Sequence, residues 1–245
     1  MIVDVTTDLQ DVSISGSGKI IGGRYNKIKI SGSGKISGEV EANRLKISGS
    51  GKVEGPAVIK ELQVSGHCGF DDSLEGESCT VSGSFHSRGN VHMSQLKVSG
   101  SFSCSQSVKL VDAQINGYFK ADKLEAEEFR LEGSMNISKE LNAHVTDVIL
   151  YGPCRVHEIG GETISIYSHH SRPGLFRALL SLFKSDHSLT ANLIEGTQVY
   201  LENTRANVVR GGRVTIGPGC RIEQVEYMDA LDVSPEAQVG NAIKI

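Results

Sequence analysis

Apolar and polar residues alternate along this chain in short stretches, and each stretch ends shortly before a glycine. The pattern occurs nine times in the first two thirds of the sequence, at intervals of 16 or 17 residues until the last interval of 19. The glycines are Gly16, Gly32, Gly49, Gly66, Gly83, Gly100, Gly117, Gly133 and Gly152. A unit this short cannot bury its own apolar face and must stack on its neighbours. The period therefore predicts an elongated repeat protein.

Each repeat has three pairs of apolar positions, one before its glycine and two after it. Around Gly49 they include Leu45, Ile47, Val53, Ala57 and Ile59. Alternation with a period of two is typical of a strand with one buried face, whereas helical solenoids have longer repeats and a period of 3.6. The pattern predicts an all-β fold, a parallel β-helix with three short strands per ~17-residue coil. About 13 coils stacked at ~4.8 Å would give a rod of roughly 60 Å.

Stacking places equivalent residues of successive coils above one another. Phe85, Phe102 and Phe119 share an inward position, so we expect an internal aromatic ladder. Two outward positions hold rows of lysine, which are Lys19, Lys35 and Lys52 in one row and Lys29 and Lys46 in the other. We expect these rows to solvate a face of the rod, and the alternative is a binding stripe for an anionic partner. The glycine is expected at a corner between strands, where it tolerates a positive φ that other residues avoid.

The repeat is interrupted once, after Ile166. We predict that residues 1–168 form the main β-helix, that 169–190 form a helical insertion, and that 191–245 form C-terminal coils continuing the same rod. The insertion has helical apolar spacing and basic residues. Its candidate contact residues are Leu175, Phe176, Leu179, Leu180, Leu182 and Phe183, with Arg177 and Lys184 as cations. Such a helix would pack across the rod, bind a membrane surface or bind a partner protein.

Composition and charge limit which partners the chain can attract and which state its cysteines can have. The formal charge of −4 and pI near 6.1 give no general attraction to nucleic acid. Five cysteines cannot all pair within one chain, and their places in the register are inward: Cys68, Cys79, Cys104, Cys154 and Cys220. We expect reduced thiols in the core of a cytoplasmic protein, since no leader or membrane span is recognisable in the sequence.

Catalytic and ligand-binding motifs are weak. His169 and His170 with Asp186 and His187 bracket the insertion and could converge on a metal, but loop histidines of this kind seldom do. The GSG triplets lack the context of a phosphate loop. The C-terminal TIGPGCRIEQV resembles hexapeptide β-helix acyltransferases, and a carbohydrate-binding β-helix is a second alternative. We predict no enzyme activity and no cofactor.

The two ends of the rod are the main candidate sites. MIVDVTTDL and VGNAIKI both read as strands, without a capping helix. Uncapped coils expose backbone groups and a cross-section of the core, and an end contact that does not close produces a filament. The candidate self-assembly residues are Ile2, Val3, Val5, Val239, Ile243 and Ile245. We expect Ile243 and Ile245 to fill the core of the final strand.

The stacked segments ISGSGKISGEV and LKVSGSF resemble the bactofilin family of polymer-forming bacterial cytoskeletal proteins. The resemblance covers most of residues 10–165 and part of 195–245. It implies a right-handed β-helix and nucleotide-independent filaments formed with itself or a related subunit. It also implies a place at the inner membrane surface, with envelope or motility proteins as partners. The chain differs from the family in its greater length and in the insertion.

Overall fold

The computed structural model describes residues 9–168 and 187–245. These residues are 83% strand, contain no helix and form a parallel β-solenoid of about 13 turns. The predicted fold class is therefore confirmed. The predicted helical insertion lies outside the described residues, except for its last four positions. Of these, Leu189 and Thr190 already belong to a strand, so the C-terminal coils begin earlier than residue 191.

In the described ranges, fifteen strands make up the solenoid. They are β1 (Gln10–Ile14), β2 (Ser17–Ile30), β3 (Ser33–Ile47), β4 (Ser50–Val53), β5 (Ala57–Val64), β6 (His67–Phe70), β7 (Leu74–Val81), β8 (Ser84–Ser87), β9 (Val91–Val98), β10 (Ser101–Cys104), β11 (Ser107–Ser168), β12 (Leu189–Leu201), β13 (Thr204–Ile216), β14 (Arg221–Val233) and β15 (Gln238–Lys244). Strand β11 is 62 residues long, so it runs through several successive coils and their corners without a break in strand structure.

Each coil has three faces, which we name by their place relative to the repeat glycine. Face A precedes the glycine, face B follows it directly and face C comes last. On face A, Leu45 pairs with Leu62 and Leu62 with Cys79, all in parallel register. On the far side of residues 169–186, Ile164 pairs with Val199 and Ile166 with Leu201. The coils after the interruption therefore continue the same ladder.

The core is one continuous cluster of inward side chains, arranged in several stacked columns along the rod. The predicted aromatic ladder is confirmed on face B, where Phe102 stacks on Phe85 at 4.7 Å and on Phe119 at 5.4 Å between ring centroids. The interplanar angles are 6° and 4°. The ladder is extended by a tilted contact with Phe70 and an edge contact with Phe129. Offset aromatic pairs of this kind add to the burial of their apolar area.

The repeat glycines are required for a reason other than the one expected. The predicted positive φ is wrong for the repeat glycines from Gly32 to Gly117, none of which has one; of the nine repeat glycines, all of which the structure describes, it occurs at Gly133, with φ 159°. Backbones of successive coils approach each other closely at this corner instead. A Cβ atom on Gly83 would lie 2.0 Å from the carbonyl oxygen of Gly66 in the preceding coil. From Gly32 to Gly133 this axial contact leaves no room for a side chain at the corner.

Charged residues on the outer faces connect coil to coil. The predicted alignment of Lys19, Lys35 and Lys52 is confirmed by the pairing register. Lys35 and Lys52 also contact carboxylates, with 2.6 Å to Glu54 and 2.8 Å to Asp71. The hydrogen bond from Lys52 holds the pKa of Asp71 below its usual range. Exposed pairs like these contribute little to stability, because water and salt screen the attraction between their charges.

Candidate assembly surfaces

The last coil leaves core positions open to solvent. Val233 stacks on Ile216 of the preceding coil, and Val239 stacks on Ile222, so both continue columns of core side chains. Ile216 is 0% exposed, whereas Val233 is 39% exposed. Val239 is half-buried and Ala242, which pairs with the fully buried Val225, is exposed. These side chains differ from their buried counterparts because no further described coil covers them.

The backbone of the last coil is open as well. Strand β15 pairs with β14 on one side, and among residues 9–168 and 187–245 no strand pairs with its other side. Its outer N–H and C=O groups are therefore available to another strand. An open edge next to exposed apolar side chains favours strand addition.

Two of the predicted end residues do not lie where the sequence placed them. In the pairing register, Ala242 is opposite the inward Val225, and Ile243 is opposite Glu226, which points outward. Ile243 thus lies on the outside of face C and is 43% exposed, and Ile245 is 57% exposed. The prediction that they fill the core is wrong, because a shift of one residue transfers every side chain to the opposite face. Val239 is placed on the inward side as predicted.

The N-terminal candidates Ile2, Val3 and Val5 lie outside the described residues. The first described strand, β1, pairs with β2 and with no other strand of the described part. Val12 and Ile14 of β1 pack on the core in the same column as Ile28 and Ile30. The start of the described rod therefore has the same parallel register as the rest.

A buried carboxylate, Glu202, follows strand β12 and lies beside the last residue of β11. Glu202 is 4% exposed, and its Oε2 accepts a hydrogen bond of 2.8 Å from the backbone N–H of Ser168. Tyr200 donates its hydroxyl to Oε1 of Glu202 at 2.5 Å, which raises the pKa of Tyr200 to about 12. Glu202 was not identified from the sequence. The one sequence feature that could have indicated a buried carboxylate is the charged residue directly after the inward Leu201.

The predicted contact residues of the insertion, from Leu175 to Lys184, lie outside the described residues, and so do His169, His170 and Asp186. In the part of the chain that the structure describes, no three His, Cys, Asp or Glu side chains are grouped closely enough to hold a metal ion. The described ranges also hold no helix with the length and apolar character needed to cross a bilayer.

The five cysteines are all buried, as predicted, and none forms a disulfide. Burial raises the pKa of the Cys79 and Cys154 thiols to about 12 and that of Cys220 to about 11. Burial also raises the thiol pKa of Cys68 and Cys104. A thiol with so high a pKa is almost entirely protonated at neutral pH and is a poor nucleophile. The thiols act as small core side chains.

Two proteins of Bacillus subtilis (strain 168) share sequence with part of this chain. Uncharacterized protein YhbF is 41% identical over 90 residues, which is 37% of this chain and 34% of YhbF. Uncharacterized protein YhbE is 49% identical over 57 residues, which is 23% of this chain and 24% of YhbE. No protein-family model matches the chain, and no solved structure matches it. The chain is thus similar to segments of YhbF and YhbE, about a third of one and a quarter of the other.

Proposed function

We propose that this protein is a structural scaffold of a bacterial cell that polymerises without nucleotide through the terminal coils of its β-helix. A β-solenoid is compatible with such a scaffold, because its repeated cross-section can be continued by another molecule of the same shape. The partner is a second copy of the chain or a closely related subunit.

The open cross-section of the last coil carries the proposal. Val233, Val239 and Ala242 occupy core columns, yet they are exposed or half-buried. Exposed apolar groups beside an unpaired strand edge are a liability for a protein that stays monomeric. A further coil in parallel register would cover these side chains and pair the outer edge of β15. The first coil of another copy has that register and that strand direction.

Contact between the last coil of one copy and the first coil of the next is heterologous, since it joins two different surfaces. Each added copy presents a new last coil, so the contact does not close and the product is a filament. The driving force is burial of apolar area, at roughly 25 cal/mol per Å². No nucleotide is required for such a contact.

Val239→Lys tests the end contact. The substitution places a charge in the core column at the open end, where a second copy would have to bury it, and burying an unpaired charge is strongly unfavourable. We expect the unsubstituted chain to form filaments in nucleotide-free buffer and the variant to give monomers or short oligomers. Negative-stain electron microscopy and light scattering measure the difference.

Val58→Lys is the matched control for the end contact. Val58 is 45% exposed on the side of the rod, so the same change adds the same charge away from the end. Its filaments should match those of the unsubstituted chain in length. Circular dichroism checks that both variants keep their β structure. Filaments of Val239→Lys as long as those of Val58→Lys would contradict the end-contact proposal.

The proposal includes a peripheral position at the inner face of the cell membrane, where envelope or motility proteins would be partners. It rests on the apolar and basic sequence between Leu175 and Lys184. One short segment binds lipid weakly, but polymerisation would multiply its effect through avidity.

Leu179→Glu combined with Leu182→Glu tests membrane binding. We expect the unsubstituted chain to sediment with vesicles of anionic lipid and the double variant to remain in the supernatant, because glutamate removes apolar area and is repelled by the lipid headgroups. A matched control is Val58→Glu with Val111→Glu, which changes two exposed valines on the rod. If the unsubstituted chain does not sediment with the vesicles, the membrane part of the proposal is wrong.

A further inference from the structure

The corner between faces A and B forms a basic ridge in the first three coils. We call this surface the N-terminal ridge, and its crest consists of residues 15–17, 31–33 and 48–50, where serines flank the repeat glycines. Lysines follow the crest on both sides: Lys29 and Lys46 on face A, and Lys19, Lys35 and Lys52 on face B. With only small residues on the crest, the ridge is narrow and convex.

The ridge has an excess of positive charge that the rod does not neutralise. Residues 9–53 contain eight basic and three acidic side chains, and two of the basic ones, Arg24 and Arg44, form ion pairs with Glu41 and Glu61. Lys35 and Lys52 contact carboxylates. Within the described ranges Lys19, Lys29 and Lys46 have no ion-pair partner. Equivalent lysines of neighbouring coils are about 4.8 Å apart, so the repulsion between them favours an acidic partner surface.

An acidic groove of about 870 Å³ runs along the outer side of face C in the other half of the rod. Its charged lining consists of one cation, Arg210, and four glutamates, which are Glu127, Glu158, Glu162 and Glu195. The groove extends from Ala126 to Met228 and spans about six coils, or roughly 25 Å along the axis. Residues 123–162, which include its first part, contain eight acidic and four basic side chains.

The groove is concave because glycines replace inward side chains on this face. Gly161, Gly196 and Gly211 stack in register on this face, and a Cβ atom on Gly161 would lie 2.1 Å from the carbonyl oxygen of Ala143. A Cβ atom on Gly211 would lie 2.9 Å from Cγ2 of Val214, so the backbone here is too close to the core for any side chain. The wall sinks inward and leaves a depression on the outside.

The carboxylates of the groove are not saturated by cations of the same rod. Arg210 is held between Glu195 at 2.9 Å and Glu226 at 2.6 Å. Glu162 contacts only His144, at 3.2 Å, and Glu158 contacts only His157, at 3.6 Å, among the ion pairs of the described residues. Glu127 has no ion-pair partner in the same ranges. Three carboxylates are therefore available to ammonium groups from another molecule.

We propose that the N-terminal ridge of one copy docks in the acidic groove of a second copy, so that filaments associate side by side. A convex lysine-flanked crest meets a concave glutamate-lined groove, and both run along the rod axis. The two surfaces lie about seven coils apart on one rod, so neighbouring copies are staggered by roughly 35 Å. The contact is heterologous, and repetition along a filament extends it into bundles.

This lateral contact rests on the proposed polymerisation but uses other residues and another force. The end contact buries apolar side chains and persists at high salt. The lateral contact joins exposed charges, which are screened when the Debye length falls from ~10 Å at 0.1 M to a few Å at 1 M salt. Bundles should therefore separate into single filaments as salt rises, while the filaments themselves remain.

Charge reversal on each surface tests the lateral contact. Lys29→Glu with Lys46→Glu reverses the ridge, and Glu158→Lys with Glu162→Lys reverses the groove. We expect either double variant to form single filaments at 50 mM salt where the unsubstituted chain forms bundles. The quadruple variant carries both reversals and should form bundles again, because its charges are complementary once more. Filament width in electron micrographs is the readout.

Lys60→Glu with Lys97→Glu is the matched control. Lys97 lies in the same row as Lys29 and Lys46, on face A, but outside the ridge. This variant has the same change in net charge as the ridge variant and should still form bundles. Loss of bundles in the control would mean that net charge acts nonspecifically, and bundles that persist in the ridge variant would mean that the ridge is not part of the contact. Either result would overturn the proposal.

The end-blocked variant Val239→Lys separates this inference from the proposed function. In that background we expect a weak self-association that sedimentation velocity detects at 50 mM salt. The ridge reversal should weaken it about tenfold, and 500 mM salt should abolish it. Absence of filaments in the unsubstituted chain would contradict the proposed function alone. Absence of any salt-sensitive association in the Val239→Lys background would contradict the lateral contact alone.

Discussion

Gly83→Ala is expected to destabilise the rod strongly, although it adds a single methyl group. The new Cβ would lie 2.0 Å from the carbonyl oxygen of Gly66 and 2.5 Å from that of Ser65. Both are backbone oxygens, which cannot rotate out of the way as the end of a flexible side chain could. Ser84 also donates its N–H to the oxygen of Gly66 at 2.9 Å, so moving the coils apart would break that hydrogen bond. We expect a loss of about 3 kcal/mol in the free energy of unfolding, the upper end for overpacked sites.

Gly69→Ala is the matched control, and its expected effect has the opposite sign. A Cβ on Gly69 would meet no atom within 4 Å, and its φ is not positive. Alanine there restricts the unfolded chain and should stabilise by about 0.4–1 kcal/mol. Denaturant unfolding measures both variants. Hydrogen exchange should show lost protection in the coils around Gly83, because each coil contacts only its neighbours. Equal stability of the two variants would contradict the axial contact.

Phe102→Ala is expected to have an effect at least as large. Phe102 is fully buried and stacks on a ring in each neighbouring coil, at 4.7 Å and 5.4 Å between centroids. Truncation removes the transfer free energy of the ring and leaves a cavity that the ladder cannot close, since Phe85 and Phe119 are held by their own coils. Buried phenylalanines lose about 3–5 kcal/mol on truncation to alanine. We expect a loss in that range.

Val111→Ala provides the comparison for the ladder, because Val111 is 54% exposed on the outside of the rod. Its stability should stay within about 0.5 kcal/mol of the unsubstituted chain. Leucine at position 102 fills part of the cavity. The free energy of unfolding of Phe102→Leu should therefore lie between those of Phe102→Ala and Val111→Ala. Guanidinium unfolding followed by circular dichroism gives the three values. A Phe102→Ala variant as stable as Val111→Ala would mean that the stacked rings contribute no packing energy.

Most of the fold could be predicted because the sequence repeats in step with the structure. A period of about 17 residues aligns equivalent positions in successive coils, so one assignment of inward positions serves for most of the rod. The aromatic ladder, the lysine rows and the buried cysteines all follow from that assignment. Prediction was least accurate at the last strand, where Ile243 and Ala242 exchange faces. There pairing with β14 decides the one-residue shift, and among the described residues no strand pairs with the other side of β15 to enforce the pattern.

The glycine repeat, the three strands per coil and the all-β class were determined by the sequence alone, since a periodic pattern of apolar residues leaves few ways to bury them. The tertiary structure decided the rest. The repeat glycines are needed because backbones of adjacent coils meet, which only the distance from Gly83 to Gly66 reveals. The acidic groove, the N-terminal ridge and the buried Glu202 combine residues from several coils. Such surfaces depend on distances between coils, and those are set by packing along the axis.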